Sequence, residues 1–361
     1  MKFINQMEPW HGQEEKRAML KYLNSGGWLM EFKKTREFEE MICNFTGAKY
    51  CSVVNNGTVS LFIALKALEI GLGDEVIVPN LTMAATPNSV ILAGAKPVFV
   101  DIEEKTLCLD VNLVEKAITK KTKAVIHVSL NGRAGELLKL KKLCQKKKIF
   151  LIEDAAQAFG SFYQGKHLGT YGIIGSFSFS VPKIITTGQG GALITNDKKL
   201  FEKILKIKDF GREKAGEDHY STLGWNFKFT DLQAVIGIEQ MKKINWRIKR
   251  KKQIYQLYKK YLAKIPQVKF LDLNLKEAVP WFNDLYVPNN KQLKKYLKEQ
   301  GIGSRLIYPA LNSEPAYKVR GNFPISQKIA KQGLWLPSSS FLTDQQIRYI
   351  CQKISNFYEK N

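Results

Sequence analysis

The sequence predicts an α/β protein, with a large domain on a mostly parallel sheet at residues 1–241 and a smaller α+β domain at residues 242–361. Three observations lead to this prediction. A chain of 361 residues is long for a single hydrophobic core. Short apolar runs alternate with helical patterns over the first two-thirds, as they do in parallel sheets with crossover helices. A long charged helix follows, and beyond it the alternation stops.

Apolar runs of strand length account for the predicted sheet. These runs are residues 50–54, 75–78, 96–100, 124–128, 149–152, 175–180 and 191–195. Apolar residues at helical spacing predict helices between them, near residues 59–68, 83–93, 111–117 and 138–147. The charged helix spans about residues 232–262. The small domain is predicted to hold a strand in 281–287 and helices at 291–300 and 343–358.

The chain carries a formal net charge of +23, and only nine of its 56 basic residues are arginine. Nucleic-acid-binding surfaces favour clustered arginine interleaved with aromatic residues. The lysines here are spread over helical stretches, which predicts solvated helix faces. We therefore expect no nucleic-acid partner and a positive field that attracts anionic substrates. The alternative, a nucleic-acid-binding protein, predicts steeply salt-dependent binding.

Five cysteines without CxxC spacing predict neither a zinc site nor a disulfide framework, and no metal site is expected. No uninterrupted apolar stretch has membrane-spanning length. The N-terminus lacks the apolar region of a secretory signal. Together these features predict a cytoplasmic protein without membrane insertion.

The most informative segment is residues 175–191, where one lysine, Lys183, stands between a strand-like run and a loop of small residues. A lysine in a confined, glycine-lined turn suits covalent binding of pyridoxal phosphate. Ser176, Ser178 and Ser180 share one face of the run and would offer hydroxyl groups to a phosphate.

An acidic pair, Glu153 and Asp154, follows the apolar strand at residues 149–152. Ligands of parallel α/β sheets bind beyond the carboxyl ends of the strands. A carboxylate there keeps a pyridine nitrogen protonated, which makes the ring a better electron sink. Alternation along the strand allows only one of the two to contact the cofactor, and a helix-capping role is the alternative. Gln157, about one turn further on, is placed to hydrogen-bond a ring oxygen.

The sequence Asn55-Asn56-Gly57-Thr58 follows a strand and opens a helix. Backbone N–H groups at a helix N-terminus, with a glycine that allows close approach, form an anion site. The same four residues also suit a simple turn followed by a helix cap. Both interpretations remain open from these residues alone.

Taken in order, these motifs resemble those of the DegT/DnrJ/EryC1/StrS family of sugar aminotransferases, over about residues 25–358. The motifs are SGGW (25–28), NNGT (55–58), GDEVIVP (73–79), GAKPVFVDI (94–102), TKAVI (122–126), EDAAQAFG (153–160), FSFSVPK (177–183) and NFKFTDLQAVIG (226–237). The resemblance implies a fold-type-I, aspartate aminotransferase-like fold. It also implies pyridoxal 5'-phosphate as cofactor, with pyridoxamine phosphate as its aminated form.

The resemblance implies a role for each matching residue. Lys183 would be the catalytic lysine that binds the cofactor and moves protons, with Asp154 against the pyridine nitrogen and Gln157 at the ring hydroxyl. The other implied cofactor contacts are Gly57, Thr58 and Ser178 at the phosphate, Met83 on the ring face, and Asn226, which reaches the phosphate from the other subunit of a homodimer.

Candidate substrate residues come from the C-terminal signal and from departures from the family pattern. Arg305 and Tyr308 lie in a stretch, residues 301–309, that resembles the family's GIx[ST]R…P signal. The Arg305 guanidinium suits a nucleotide diphosphate, although it could equally pack the small domain. Where many members have VHLYGQ, residues 128–133 are VSLNGR, so Asn131 and Arg133 would face a different sugar. Residues 188–191 have GQGG in place of GEGG.

The implied activity is transfer of an amino group from L-glutamate to a nucleotide-diphosphate-linked keto-deoxysugar, as in lipopolysaccharide O-antigen synthesis. Lys183 is not the histidine found in the family's deoxysugar dehydratases, which favours amino transfer. A 4-keto-6-deoxysugar is the first expectation and a 3-keto sugar the alternative. A non-catalytic, cofactor-binding regulatory protein is a further alternative, against which the intact set of Lys183, Asp154 and Gln157 argues.

Overall fold

The computed structural model describes residues 3–359. Its first half alternates helices and strands. The elements are α1 (Gln13–Asn24), α2 (Lys33–Thr46), β1 (Tyr50–Val54), α3 (Gly57–Ala67), β2 (Glu75–Pro79), α4 (Ala85–Leu92), β3 (Lys96–Val100), α5 (Val111–Ala117), β4 (Thr122–Val128), α6 (Leu137–Lys147) and β5 (Phe150–Asp154).

The second half completes the large sheet and builds a smaller one. Its elements are β6 (Phe162–Tyr163), β7 (Lys166–His167), β8 (Ile174–Ser178), β9 (Gly191–Thr195), α7 (Lys198–Lys208), α8 (Asp231–Lys242), α9 (Ile244–Leu262), β10 (Asn283–Tyr286), α10 (Asn290–Glu299), β11 (Arg305–Leu306), α11 (Pro324–Gln332), β12 (Gly333–Leu336) and α12 (Asp344–Glu359). None of the helices within residues 3–359 is long and apolar enough to span a bilayer.

The large sheet has seven strands in the order β1-β9-β8-β5-β4-β2-β3. Strand β9 runs antiparallel to both of its neighbours, and the other pairings are parallel. The predicted α/β fold with a mostly parallel sheet is therefore confirmed. The carboxyl ends of β5 and β8, which carry Asp154 and Ser178, lie side by side at one edge of the sheet.

Helices cover both faces of this sheet. Apolar side chains of α2, α5, α6 and α8 pack on one face, and those of α3, α4 and α7 pack on the other. This burial explains why β2, whose five residues are all buried, is apolar from Val76 onwards.

A three-stranded antiparallel sheet, in the order β10-β12-β11, lies within residues 242–361, the range predicted for the small domain. Its apolar core includes side chains from α9, α10 and α12. The first described residues also belong here, because the Ile4 N–H donates to Gly301 O (2.9 Å) and the Gly303 N–H donates to Ile4 O (2.7 Å). Ile4, within the range predicted for the large domain, thus hydrogen-bonds to residues in the range predicted for the small one.

The predicted helix at residues 232–262 is two helices in the structure. Lys243, with φ −101° and ψ 2°, separates α8 from α9. The Thr230 hydroxyl accepts a hydrogen bond from the Gln233 N–H (3.2 Å) and caps α8. Helix α8 packs on α1 and α2, while α9 packs on α12, so the break falls close to the predicted boundary between residues 241 and 242.

Candidate active site

A cavity of about 270 Å³ lies between the carboxyl edge of the large sheet and the small domain. It brings together residues that are far apart in the chain. The sequence-predicted residues that line it are Gly57, Thr58, Met83, Asp154, Gln157, Ser178, Lys183, Arg305 and Tyr308. Asn131, Arg133 and Asn226 are not among the lining residues.

The N-terminus of α3 forms one end of this cavity. Asn56 caps the helix, since its side chain accepts from the Val59 N–H (2.9 Å) and its carbonyl accepts from the Ser60 N–H (3.2 Å). Gly57 and Thr58, whose N–H groups have no partner within the helix, both line the cavity. The capping role and the anion-site role that the sequence left open are therefore compatible.

Gly57 is required by a close approach between α3 and β8. A Cβ at this position would lie 2.9 Å from the Ser178 Cβ, closer than real Cβ contacts. The Ser178 hydroxyl lies 3.3 Å from that of Ser180, and both line the cavity. Ser176, predicted to share this role, is instead fully buried and hydrogen-bonded to the Ser60 hydroxyl.

Glu153 and Asp154 point to opposite sides of β5, as the strand alternation predicts. Glu153 is fully buried and accepts backbone N–H bonds from Gly169 (2.8 Å), Tyr171 (2.5 Å) and Gly172 (2.7 Å). It therefore shapes the loop between β7 and β8. Asp154 is the carboxylate that faces the cavity.

The Asp154 carboxylate is held by two donors. The Thr86 hydroxyl donates to one oxygen (2.8 Å) and the Ala156 N–H donates to the other (3.2 Å). Burial raises its pKa, and these hydrogen bonds act in the opposite direction. The Thr86 hydroxyl also lies 3.0 Å from that of Thr82. Sequence reasoning missed both threonines, because a single hydroxyl on α4 carries no motif.

Gln157 connects the cavity to both domains. Its side-chain oxygen accepts from the Asn131 N–H (2.9 Å), and its side-chain nitrogen donates to the Tyr308 hydroxyl (3.3 Å). The orientation of this amide is therefore fixed from two sides.

Lys183 stands over an aromatic wall that the small domain provides. Its Nζ lies 4.4 Å from the ring centroid of Trp281, which is 2% exposed. Burial lowers the pKa of Lys183 from 10.5 to about 8; Asp154 opposes this shift and Arg305 adds to it. The sequence analysis had not assigned Trp281 to the site.

Covalent capture of pyridoxal phosphate should follow the titration of Lys183. The neutral amine is the nucleophile, so below pH 8 the capture rate should rise about tenfold per pH unit and then level off near pH 8. An unshifted lysine would give a rate that still rises towards pH 10.5. Stopped-flow absorbance of the apoprotein mixed with the cofactor distinguishes the two profiles.

Asn131 and Arg133 hold the two domains together instead of lining the cavity. The Asn131 side chain donates to Phe282 O (2.9 Å) and accepts from the Phe282 N–H (2.8 Å). Arg133 forms a buried, two-pronged ion pair with Asp284 (2.8 and 3.2 Å). The Asn131 amide and the two terminal nitrogens of Arg133 are thus engaged by β10 and its approach, while Arg133 Nε has no partner among the described residues. Neither residue lines the cavity, and their contact with a sugar stays a prediction.

Replacing Arg133 with Met should lower the free energy of unfolding by about 3–5 kcal/mol, because it leaves the Asp284 carboxylate buried without its partner. Lys139→Met, which removes an exposed pair with Glu136, should cost at most about 1 kcal/mol. Chemical denaturation of both variants measures the difference. A raised KM for the sugar without loss of stability would restore the substrate role of Arg133.

Asn226 is exposed and lies outside the cavity of its own chain. It forms an antiparallel bridge with Asp209 in the segment before α8. A role at the cofactor phosphate therefore requires a second copy of the chain.

The cavity fits pyridoxal phosphate. Helix amides and serine hydroxyls at one end suit a phosphate, the buried Asp154 suits a protonated ring nitrogen, and the Lys183 amine suits an aldehyde. A cofactor that needs all three at once accounts for the whole donor set. The fold and the cavity thus define a pyridoxal-phosphate-dependent enzyme of fold type I.

A sequence model of the DegT/DnrJ/EryC1/StrS aminotransferase family matches residues 10–355. The chain belongs to this family and is a sugar aminotransferase whose cofactor is pyridoxal phosphate. This confirms the family, the fold class and the cofactor that the sequence motifs implied.

Relatives match over nearly the whole chain. The chain is 34% identical to the GDP-perosamine synthase of Escherichia coli O157:H7 over 367 residues, which cover 99% of each protein. It is also 34% identical over 324 residues, 89% of each chain, to the UDP-2-acetamido-2-deoxy-3-oxo-D-glucuronate aminotransferase of Pseudomonas aeruginosa. Spr1654 of Streptococcus pneumoniae in its PLP form has a TM-score of 0.93 and 26% identity, with 100% of this chain and 99% of that chain covered.

Proposed function

We propose that this protein transfers the amino group of L-glutamate to a nucleotide-linked 4-keto-6-deoxysugar, as a cytoplasmic step of deoxysugar biosynthesis. The observation that carries the proposal is a single cavity with Lys183 and Asp154 inside and the exposed Arg305 at its edge. The match to the E. coli GDP-perosamine synthase over 99% of both chains supports the choice of sugar.

Lys183, Asp154 and the phosphate-binding end of the cavity each have a defined role in this proposal. When bound, pyridoxal phosphate supplies the electron sink and carries the amino group between donor and acceptor. The neutral Lys183 Nζ removes a proton from the donor's α-carbon and delivers one to the sugar carbon that receives the amine. Asp154 keeps the ring nitrogen protonated, and the α3 N-terminus with Ser178 holds the phosphate.

Arg305 is the residue of the cavity that would bind the nucleotide diphosphate. Its guanidinium lies 5.6 Å from the ring centroid of Trp335 and 5.9 Å from that of Tyr308, so aromatic faces orient it. A planar guanidinium can pair with two phosphate oxygens at once. Leu306, which follows it in β11, pairs with Leu334 in the small sheet and fixes the backbone.

A 3-keto sugar is the second candidate, because the P. aeruginosa relative, whose name specifies a 3-oxo sugar, is equally identical to this chain. The test has two stages. First, absorbance of the cofactor-loaded protein should change on addition of L-glutamate, which shows the donor half-reaction. Next, the aminated protein is mixed with a GDP-linked 4-keto-6-deoxyhexose or a UDP-linked 3-keto sugar.

Return of the original absorbance with only the 4-keto sugar, together with a 4-amino product by mass spectrometry and NMR, supports the proposal. Return with only the 3-keto sugar overturns the choice of position. If glutamate changes nothing, the donor assignment fails, and a cofactor-binding protein without turnover becomes the better interpretation.

We also propose a homodimer in which the partner's Asn226 reaches the cofactor phosphate. Asn226 is exposed and is flanked by Leu223 (82% exposed) and Trp225 (37% exposed). Trp28, at the end of the SGGW segment, and Leu29, which follows it, add further exposed apolar surface. Apolar surface of this kind is typical of an interface between subunits.

Mixing two inactive variants tests this arrangement. Random reassociation of Lys183→Ala and Asn226→Ala dimers should restore about a quarter of wild-type activity, because half of the dimers are mixed and each mixed dimer holds one intact site. If Asn226 served its own subunit, each site of a mixed dimer would keep one lesion and no activity would return. Light scattering gives the number of subunits independently.

A further inference from the structure

Two buried cations, one turn apart on α9, reach towards the loop that carries Lys183. Arg247 is 3% exposed and Lys251 is 1% exposed, and neither forms an ion pair among the described residues 3–359. Buried cations without a carboxylate partner are costly unless their donors are satisfied in another way. The Lys251 amine and the two terminal nitrogens of Arg247 donate to backbone carbonyls, while Arg247 Nε has no hydrogen-bond partner among the described residues.

Arg247 forms a hydrogen bond with Ile184, the residue that follows Lys183. Its Nη1 donates to Ile184 O (3.0 Å) and its Nη2 donates to Trp10 O (2.8 Å). The guanidinium also lies 4.4 Å from the ring centroid of Trp10. Arg247 therefore ties the lysine loop to α9 and to the chain segment before α1.

Lys251 forms a hydrogen bond with the backbone of Trp281, whose ring lies against Lys183. Its Nζ donates to Trp281 O (2.7 Å) and to Ser338 O (2.6 Å). Burial, with help from Arg247, lowers its pKa to about 7. A protonated amine has three N–H donors and a neutral amine has two, so both carbonyls keep a donor in either state.

Trp281 in turn holds Pro182, the residue before Lys183. Its Nε1–H donates to Pro182 O (2.7 Å), while its ring lies under the Lys183 amine and stacks on Phe282 at a centroid distance of 3.7 Å. The carbonyls on both sides of Lys183 are thus fixed, Pro182 O through Trp281 and Ile184 O directly.

We propose that Arg247 and Lys251 are positioning residues for amino transfer, which hold the backbone on both sides of Lys183 and thereby place its amine against Trp281 and within reach of Asp154. The proposal rests on the catalytic role of Lys183 in the proposed function. Neither cation lines the cavity, so their effect passes through the loop and the Trp281 ring.

The charged and titratable groups that face Lys183 come from several elements. Asp154 lies at the end of β5, Arg305 is on β11, and Tyr308 follows β11. The low pKa of Lys183 depends first on burial, and Trp281 provides part of that burial. A looser wall would admit water and move the pKa back towards 10.5.

The test measures the Lys183 amine in the apoprotein, without cofactor or sugar. Acetic anhydride is applied at a series of pH values, and mass spectrometry of the Lys183 peptide gives the midpoint of acylation. We expect a midpoint near pH 8 in the wild type and a rise of about 1 pH unit or more in Lys251→Met and in Trp281→Phe. Lys249→Met, which removes an exposed lysine from the same helix, serves as the matched control.

Trp281→Phe keeps an aromatic ring and removes the donor to Pro182 O together with the second ring of the indole, so it tests the same link to Lys183 if Lys251→Met fails to fold. An unchanged Lys183 midpoint in a folded variant, with only the thermal midpoint lowered, overturns the proposal and leaves a purely structural role. Because no sugar takes part, a wild type with the expected midpoint but no aminotransferase activity would refute the proposed function and not this inference.

Discussion

Replacing Lys183 with alanine is expected to abolish amino transfer. The same amine binds the cofactor and moves the protons, so its loss should lower kcat by more than about 10⁴-fold, the upper range for a single acid–base group. Lys183 is the lysine that lines the cavity within residues 3–359, and its lowered pKa of about 8 supplies the neutral form near neutral pH. The measurements are steady-state turnover and the absorbance of the protein mixed with pyridoxal phosphate.

The matched control is Lys166→Ala, which removes an exposed lysine from the short strand β7. It should retain the wild-type absorbance and rate. A Lys183→Ala protein that still turned over would refute the assignment of the catalytic lysine, and with it the role of the Trp281 wall.

Replacing Asp154 with asparagine is expected to lower kcat by about 10²–10³-fold, the usual loss when one preorganised electrostatic contact is removed. Asparagine has nearly the same shape: its side-chain oxygen can still accept from the Ala156 N–H, and its NH2 group can donate to the Thr86 hydroxyl. It carries no charge, so a protonated ring nitrogen would lose its counter-ion. Cofactor binding should persist through the α3 N-terminus, so the loss should appear in kcat.

Asp272→Asn is the control, because that carboxylate is exposed and forms only a surface pair with Lys259. Kinetics of Asp154→Asn equal to those of this control would remove the electron-sink role of Asp154. Loss of cofactor binding without any change in the rate per bound cofactor would assign Asp154 to binding alone.

The sequence predicted those parts of the site that are encoded locally. Lys183, Gly57 and Asp154 each sit in a short motif at the end of a strand, and the parallel sheet brings those ends together whatever the rest of the chain does. The large sheet was predictable for the same reason, since β2 and β5 each contain a buried apolar run, at residues 76–78 and 151–152.

Contacts between distant parts of the chain were not predictable in this way. Asn131 and Arg133 were predicted to contact the substrate without regard to Phe282 and Asp284. These partners lie about 150 residues away and share no motif with them. Trp281 was missed because a buried tryptophan in a small domain usually serves the core, and only the folded chain brings it under Lys183.

Contacts between the two sheets also limit how the walls of the cavity can move. After the break at Lys243, the chain returns to residues that follow strands of the large sheet: the Val279 N–H donates to the Ser161 hydroxyl (2.9 Å), and the Ile325 N–H donates to Asp101 (2.9 Å). Hydrogen bonds spread along the chain therefore hold the small sheet against the large one. The cavity between them keeps a set width, so a sugar too bulky for it would be rejected by size before any polar contact could select it.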